Sequence, residues 1–273
     1  MPDAQWLREM AEEDLKGLFC DDEDAVREQL RTLIRQARED MHLEERLIDL
    51  VDTSIDLAND DTMGSVWAIV ALAEIPSPRS TTVLVRALTM ESDEILQDVA
   101  GVALLRLGAA SLEELMEILG EEESSVALRR QGYLVLGRSG CLGDHEFCER
   151  VRDFFESRIA TEKYLERSEQ ALEELALAVA ELGATGFLKD LRKIQQEHYS
   201  SSNVAIEDAV ARLEDNEDGV PFVGRRMPWQ ERYGWLFEDE APDDDDETAD
   251  ADEDPDSPRS GFGSVGLDGP HLS

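Results

Sequence analysis

One helical pattern, repeated five times, limits the possible folds of this chain more than any other feature. In each copy a small residue stands four places before an aliphatic one: Ala71/Ile75, Ala103/Leu107, Gly132/Leu136, Ala178/Leu182 and Ala209/Leu213. An apolar residue follows each small one, in turn Leu72, Leu104, Tyr133, Val179 and Val210. The residue after the closing aliphatic is Pro76, Gly108, Gly137, Gly183 or Glu214, so four copies read as ending on a helix stop signal. Recurrence at roughly 30 to 45 residues is the spacing of stacked helical repeats, in which each unit covers its apolar face with its neighbours.

Between these copies lie helices with larger apolar residues. They carry Val83, Leu84 and Leu88; Leu112, Leu115 and Leu119; Phe147, Val151, Phe154 and Phe155; and Phe187, Leu188, Leu191 and Ile194. Short connections force consecutive helices into antiparallel hairpins. Small residues in one helix let axes approach, and the larger residues of the next fill the layer between hairpins. Ser111 followed by Glu114 has the spacing of a capping box, predicting a helix start at Ser111. Aromatics make up only 6% of a chain that is 41% apolar, which favours closely packed helices over sheets.

The alternation resembles the HEAT-repeat family of α-solenoids, in its compact bacterial form. There the first helix of each repeat reads Val-Arg-x-x-Ala-Ala-x-Ala-Leu-Gly. Leu128, Arg129, Gly132, Tyr133, Val135, Leu136, Gly137 and Arg138 match it best. Elsewhere the small residue and the Leu-Gly ending survive, as in Ala103, Leu107, Gly108 and Ala178, Leu182, Gly183. The usual Asp-Pro before the first helix is missing, and the repeat beginning near Ser124 has a longer second helix or an insertion. The resemblance implies an all-α superhelix of about four or five hairpins over residues 61–215. It also implies a macromolecular partner bound along the inner face, which the second helices line. Some HEAT-like proteins instead modify DNA or attach pigments.

Residues 1–60 read as an N-terminal helical cap. A helix is expected from about Asp3 to Phe19, followed by apolar stripes at Leu30, Leu33, Ile34, Ala37 and at Leu47, Leu50, Val51, Leu57. Periodicity stops after Leu213. Residues 216–273 form an acidic tail, in which the run Asp243 to Asp246 leads into Pro, Ser, Gly and Asp. Such a segment buries too little apolar area to offset its ordering entropy, so disorder is expected.

The charge is −38, from 26 basic and 64 acidic residues. A molecule so negative repels phosphate backbones, which argues against nucleic-acid binding and against a DNA-repair enzyme. From Glu214 onward there are 19 acidic and 4 basic residues, leaving about −15 on the tail and −23 on the body. An odd number of cysteines, Cys20, Cys141 and Cys148, fits a reducing cytoplasm better than secretion. No apolar run approaches the roughly 20 residues of a membrane span, and residues 1–15 lack the apolar stretch of a signal peptide.

Two surfaces stand out as partner-binding candidates. Within the tail, Arg225, Arg226, Trp229, Tyr233, Trp235, Leu236 and Phe237 gather two of the four tryptophans beside arginine, the residue types of interface hot spots. This stretch either folds back on the helical body or is presented to another protein. On the later second helices, Arg150, Arg152, Arg158, Lys163, Lys189, Arg192 and Lys193 form a basic strip in an acidic body. That strip suits an acidic segment, either a partner's or the chain's own tail; the plain alternative is a solvated face balanced by Glu156, Glu162 and Glu166.

Cys141, His145 and Cys148 supply three soft atoms where zinc wants four, so no metal is expected. The four histidines fall in unrelated contexts, and no serine or cysteine sits in a Gly-x-Ser-x-Gly elbow, so no catalytic residue or cofactor is assigned. The expectation is a cytoplasmic, non-catalytic protein-interaction scaffold. The alternatives are an acidic chaperone or nucleic-acid mimic that binds basic proteins, or a HEAT-like enzyme.

Overall fold

The computed structural model describes Leu15, Leu18 and residues 23–57, 63–75, 77–90, 94–121, 123–162, 169–198, 204–216 and 219. Two units divide the chain, Met1–Phe237 and Glu238–Ser273, and every described residue belongs to the first. Among the described residues all regular structure is helical. In chain order the α-helices are α1 (Glu23–Ala37), α2 (Met41–Leu57), α3 (Met63–Leu72), α4 (Pro78–Ala87), α5 (Glu94–Leu107) and α6 (Ala109–Gly120). They continue with α7 (Val126–Gly137), α8 (His145–Glu162), α9 (Glu169–Glu181), α10 (Leu188–His198) and α11 (Val204–Asp215). Short 3-10 turns, Arg138–Leu142 and Thr185–Phe187, precede α8 and α10. The expected helix at 3–19 lies outside the described residues apart from Leu15 and Leu18, both buried.

The helices pack in two sets. Each odd-numbered helix packs on the next odd one, α1 on α3, α3 on α5, α5 on α7, α7 on α9 and α9 on α11. The even helices do likewise from α2 through α4 and α6 to α8. The main helix–helix contacts all join helices one or two places apart in the chain. The repeated small residues explain the odd set. Ala71, Ala103, Gly132, Ala178 and Ala209 lie in α3, α5, α7, α9 and α11, and all are buried. Helix α3 is buried from Gly64 to Leu72 except at Trp67, the signature of a helix with neighbours on most sides. The large residues of the even helices, including Leu84, Leu112, Leu115, Leu119, Phe147, Val151 and Phe155, fill the layer between the sets.

Two sequence expectations need correction. Gly108 and Gly183 do end their helices in the left-handed region, at φ 91° and 67°. Gly137 is the last residue of α7 but without a left-handed turn: it keeps helical dihedrals and the chain runs on into the 3-10 turn, reversing at Gly143 (φ 69°). Its missing side chain serves packing, because a Cβ there would lie 2.6 Å from Ala178 Cα. Ser111 is not an N-cap either. The chain turns so tightly at Gly108 that α6 already begins at Ala109, and the Ser111 hydroxyl has its one proton within reach of two carbonyls behind it, Leu104 (2.7 Å) and Gly108 (2.8 Å). Serine caps do occur at Ser77 for α4 and Ser125 for α7, and the Asp144 carboxylate accepts from Phe147 N at the start of α8.

Candidate protein-binding surface

Arginines join many of the helices to their counterparts in the next hairpin. Along the ends of the odd helices, Glu74 after α3 receives Arg106 of α5 through both carboxylate oxygens (2.8 and 3.1 Å). Arg38, after α1, donates to the Glu74 carbonyl and carboxylate from the other side. Arg138 then links Asp98 of α5 (3.9 Å) and Glu181 of α9 (3.3 Å), while Arg130 reaches Glu174 (3.5 Å). On the even helices Arg86 of α4 meets Asp52 and Asp56 of α2, Arg79 meets Glu45, Thr82 donates to Glu114 of α6, and Arg150 of α8 meets Glu113. Partners lie 30 to 44 residues apart, one repeat each time. Burial pushes the Glu174 carboxyl above its usual range, against the pull of Arg130, and burial likewise raises Asp52 beside Arg86.

A buried polar quartet ties α7 to α8. Tyr133 donates its hydroxyl to Glu162 Oε1 at 2.7 Å and accepts from Arg158 Nε at 3.0 Å. Arg158 Nη2 and Arg129 Nε both approach the same carboxylate oxygen at 3.0 Å. All four side chains are buried. Burial first, and then the hydrogen bond to Glu162, holds the Tyr133 phenol far above its ordinary range, so it stays a donor. Arg158, expected on a basic surface strip, and Glu162, a solvated acid in the plain alternative, both lie in the core. The legible signal was Arg158 and Glu162 at i, i+4, with Arg129 and Tyr133 sharing that spacing one helix earlier.

The rest of the basic strip is largely balanced within the chain. Arg152 pairs with Glu149, Arg192 with Glu214 (Nε at 3.1 Å), and Arg150 with Glu113 and Glu146. Lys189 and Lys193 are exposed on α10. Lys163 lies outside the described residues, as do Arg225, Arg226, Trp229, Tyr233, Trp235, Leu236 and Phe237.

Among the described residues, two grooves open between neighbouring helices. One, of about 470 Å³, runs between α5 and α7 with Glu94, Asp98, Arg130, Gln131 and Arg138 along its walls. The other, of about 590 Å³, lies between α6 and α8 with Met116 and Phe154 among Glu113, Glu117, Arg150 and Ser157. The second is not legible in the residue pattern, because its walls come from helices whose register only the packing fixes.

Cys141 sits half-buried in the 3-10 turn and Cys148 is buried on α8, both as free thiols. Burial pushes the Cys141 thiol up to about 11. His145 points into solvent near Glu149. Among the described residues no three His, Cys, Asp or Glu side chains converge as a metal site, and no helix is long and apolar enough to cross a membrane. The chain matches none of the protein-family models scanned, and a search of curated proteins finds no match.

Proposed function

We propose that this chain is a non-catalytic protein-interaction scaffold or adaptor of HEAT-repeat type, its hairpins stacked as a right-handed α-solenoid in the cytoplasm. The observation that carries the reading is the neighbour pattern, odd helix on odd from α1 to α11 and even helix on even from α2 to α8, with most of the steps bridged by an arginine about one repeat away. Such an array leaves long lateral faces for partners and needs no catalytic centre. The free thiols Cys141 and Cys148 support a reducing compartment. The Arg225–Phe237 stretch supplies hot-spot residue types and is the first motif to test, with Arg152, Lys189, Arg192 and Lys193 as the second surface.

Affinity capture from the native host tests this, comparing the full chain with Trp229→Ala/Trp235→Ala. The adaptor reading expects a partner that resists salt and is lost in the double variant. A second reading, an acidic chaperone or nucleic-acid mimic, is favoured by the −38 charge. It expects capture of basic proteins that salt abolishes and the tryptophan changes leave intact. Retention of nothing above background contradicts both.

A further inference from the structure

The groove between α6 and α8 has a chemistry that selects its occupant. Its base combines Met116 of α6 with Phe154 of α8, both partly buried against the core. Phe154 belongs to an aromatic trio, 6.5 Å from Tyr133 and 6.2 Å from Phe155 between ring centroids, so its ring is held in place. The two arginines that line the groove are already engaged. Arg158 is buried on Tyr133 and Glu162, and Arg150 is held by Glu113 and Glu146, its guanidinium 5.4 Å from the Phe147 ring centre. Glu117, one turn from Glu113 on α6, faces the same groove. The surrounding body carries about −23, while its arginines are largely spent on bridges between helices. Charge complementarity therefore asks for a cation, and the fixed ring with a methionine beside it asks for apolar side chains.

We propose that this groove docks a basic amphipathic peptide segment of a partner protein. Its apolar side chains rest on Met116 and Phe154, and a Lys or Arg reaches Glu117 across the Phe154 ring. The proposal rests on the adaptor reading above and names the partner chemistry for one surface of it.

The test uses the full chain and a fluorescent 16-residue helical peptide with one Leu/Trp face and one Lys face. Two comparison peptides replace every Lys by Glu, or scramble the apolar face. At 150 mM salt the Lys peptide is expected to bind at least tenfold more tightly than either comparison. Glu117→Lys and Met116→Asp, both on the groove surface, are each expected to weaken it at least fivefold. Glu28→Lys, an equal charge change on the exposed face of α1, is expected to leave affinity within twofold. Hydrogen exchange should show peptide-dependent protection in α6 and α8. Equal losses for Glu117→Lys and Glu28→Lys would mean diffuse attraction to a polyanion and would overturn the proposal, as would equal binding of the scrambled peptide or no binding by 1 mM. The adaptor reading fails separately. If the wild-type chain captures a salt-resistant host partner that Glu117→Lys and Met116→Asp still capture, the groove assignment alone is wrong.

Discussion

Replacing Gly137 by Ala tests the close approach of α7 and α9 on which the odd set depends. The new Cβ would lie 2.6 Å from Ala178 Cα, 2.7 Å from Ala178 O and 2.9 Å from Ala178 Cβ. Ordinary carbon contacts are about 3.5–4.0 Å, and two of these three atoms are backbone that no rotamer change moves aside. The helices must separate by about 1 Å, and a gap of that size forfeits a quarter to a half of each dispersion contact along the seam. Overpacking of this kind costs roughly 1–3 kcal/mol, here at the upper end, and the better helix propensity of Ala returns about 1. The net expectation is a loss of about 2 kcal/mol, or roughly 4–8 °C in Tm for a body of this size. Gly120→Ala is the matched control, since a Cβ there meets nothing within 4 Å. Thermal and urea unfolding followed by circular dichroism should show Gly137→Ala less stable than wild type and Gly120→Ala equal or slightly more stable. Equal stability of the two variants would refute the reasoning.

The buried quartet makes a second prediction. Glu162→Gln leaves Arg129 and Arg158 buried without their shared carboxylate and should cost roughly 3–5 kcal/mol, read as a lower urea midpoint. Tyr133→Phe removes a hydroxyl that both donates and accepts and should cost less, about 1–2 kcal/mol. Cys141 supplies a third: with its folded thiol at about 11, alkylation at pH 8 should be at least 50-fold slower in the folded chain than in urea, by mass spectrometry of the modified peptide. Because the folded state holds this proton more tightly, its contribution to stability is full below about pH 8.5 and declines as pH rises toward 11.

Much of the helical order was legible because residue size reports packing directly. Ala71, Ala103, Ala178 and Ala209 are small where helix axes meet, and the Leu and Phe residues of the even helices are large where a layer must be filled. Details of local chain path were less legible. Ser111 has a capping-box spacing, but the left-handed turn at Gly108 starts the helix before it, and Gly137 looks like a left-handed terminator although it keeps helical dihedrals and is a contact point. The arginine bridges are not legible in the sequence, because their spacing drifts with loop length and carboxylates are everywhere in a chain with 64 acids. Arg158 was misplaced for a related reason. A guanidinium enters a core only when hydroxyl and carboxylate partners meet it there, and those come from another helix.

The stacking order itself is tested most directly by distances between labels on successive even helices. Paramagnetic labels on non-canonical residues at exposed positions, in the pairs Asp49/Thr82, Asp49/Glu113 and Asp49/Asp153, sample α2 against α4, α6 and α8. With about 8–10 Å per helix step, the separations should climb in order to about 10, 20 and 30 Å. A separation for Asp49/Asp153 no longer than that for Asp49/Glu113 would mean that the helices close into a bundle, and would contradict the account.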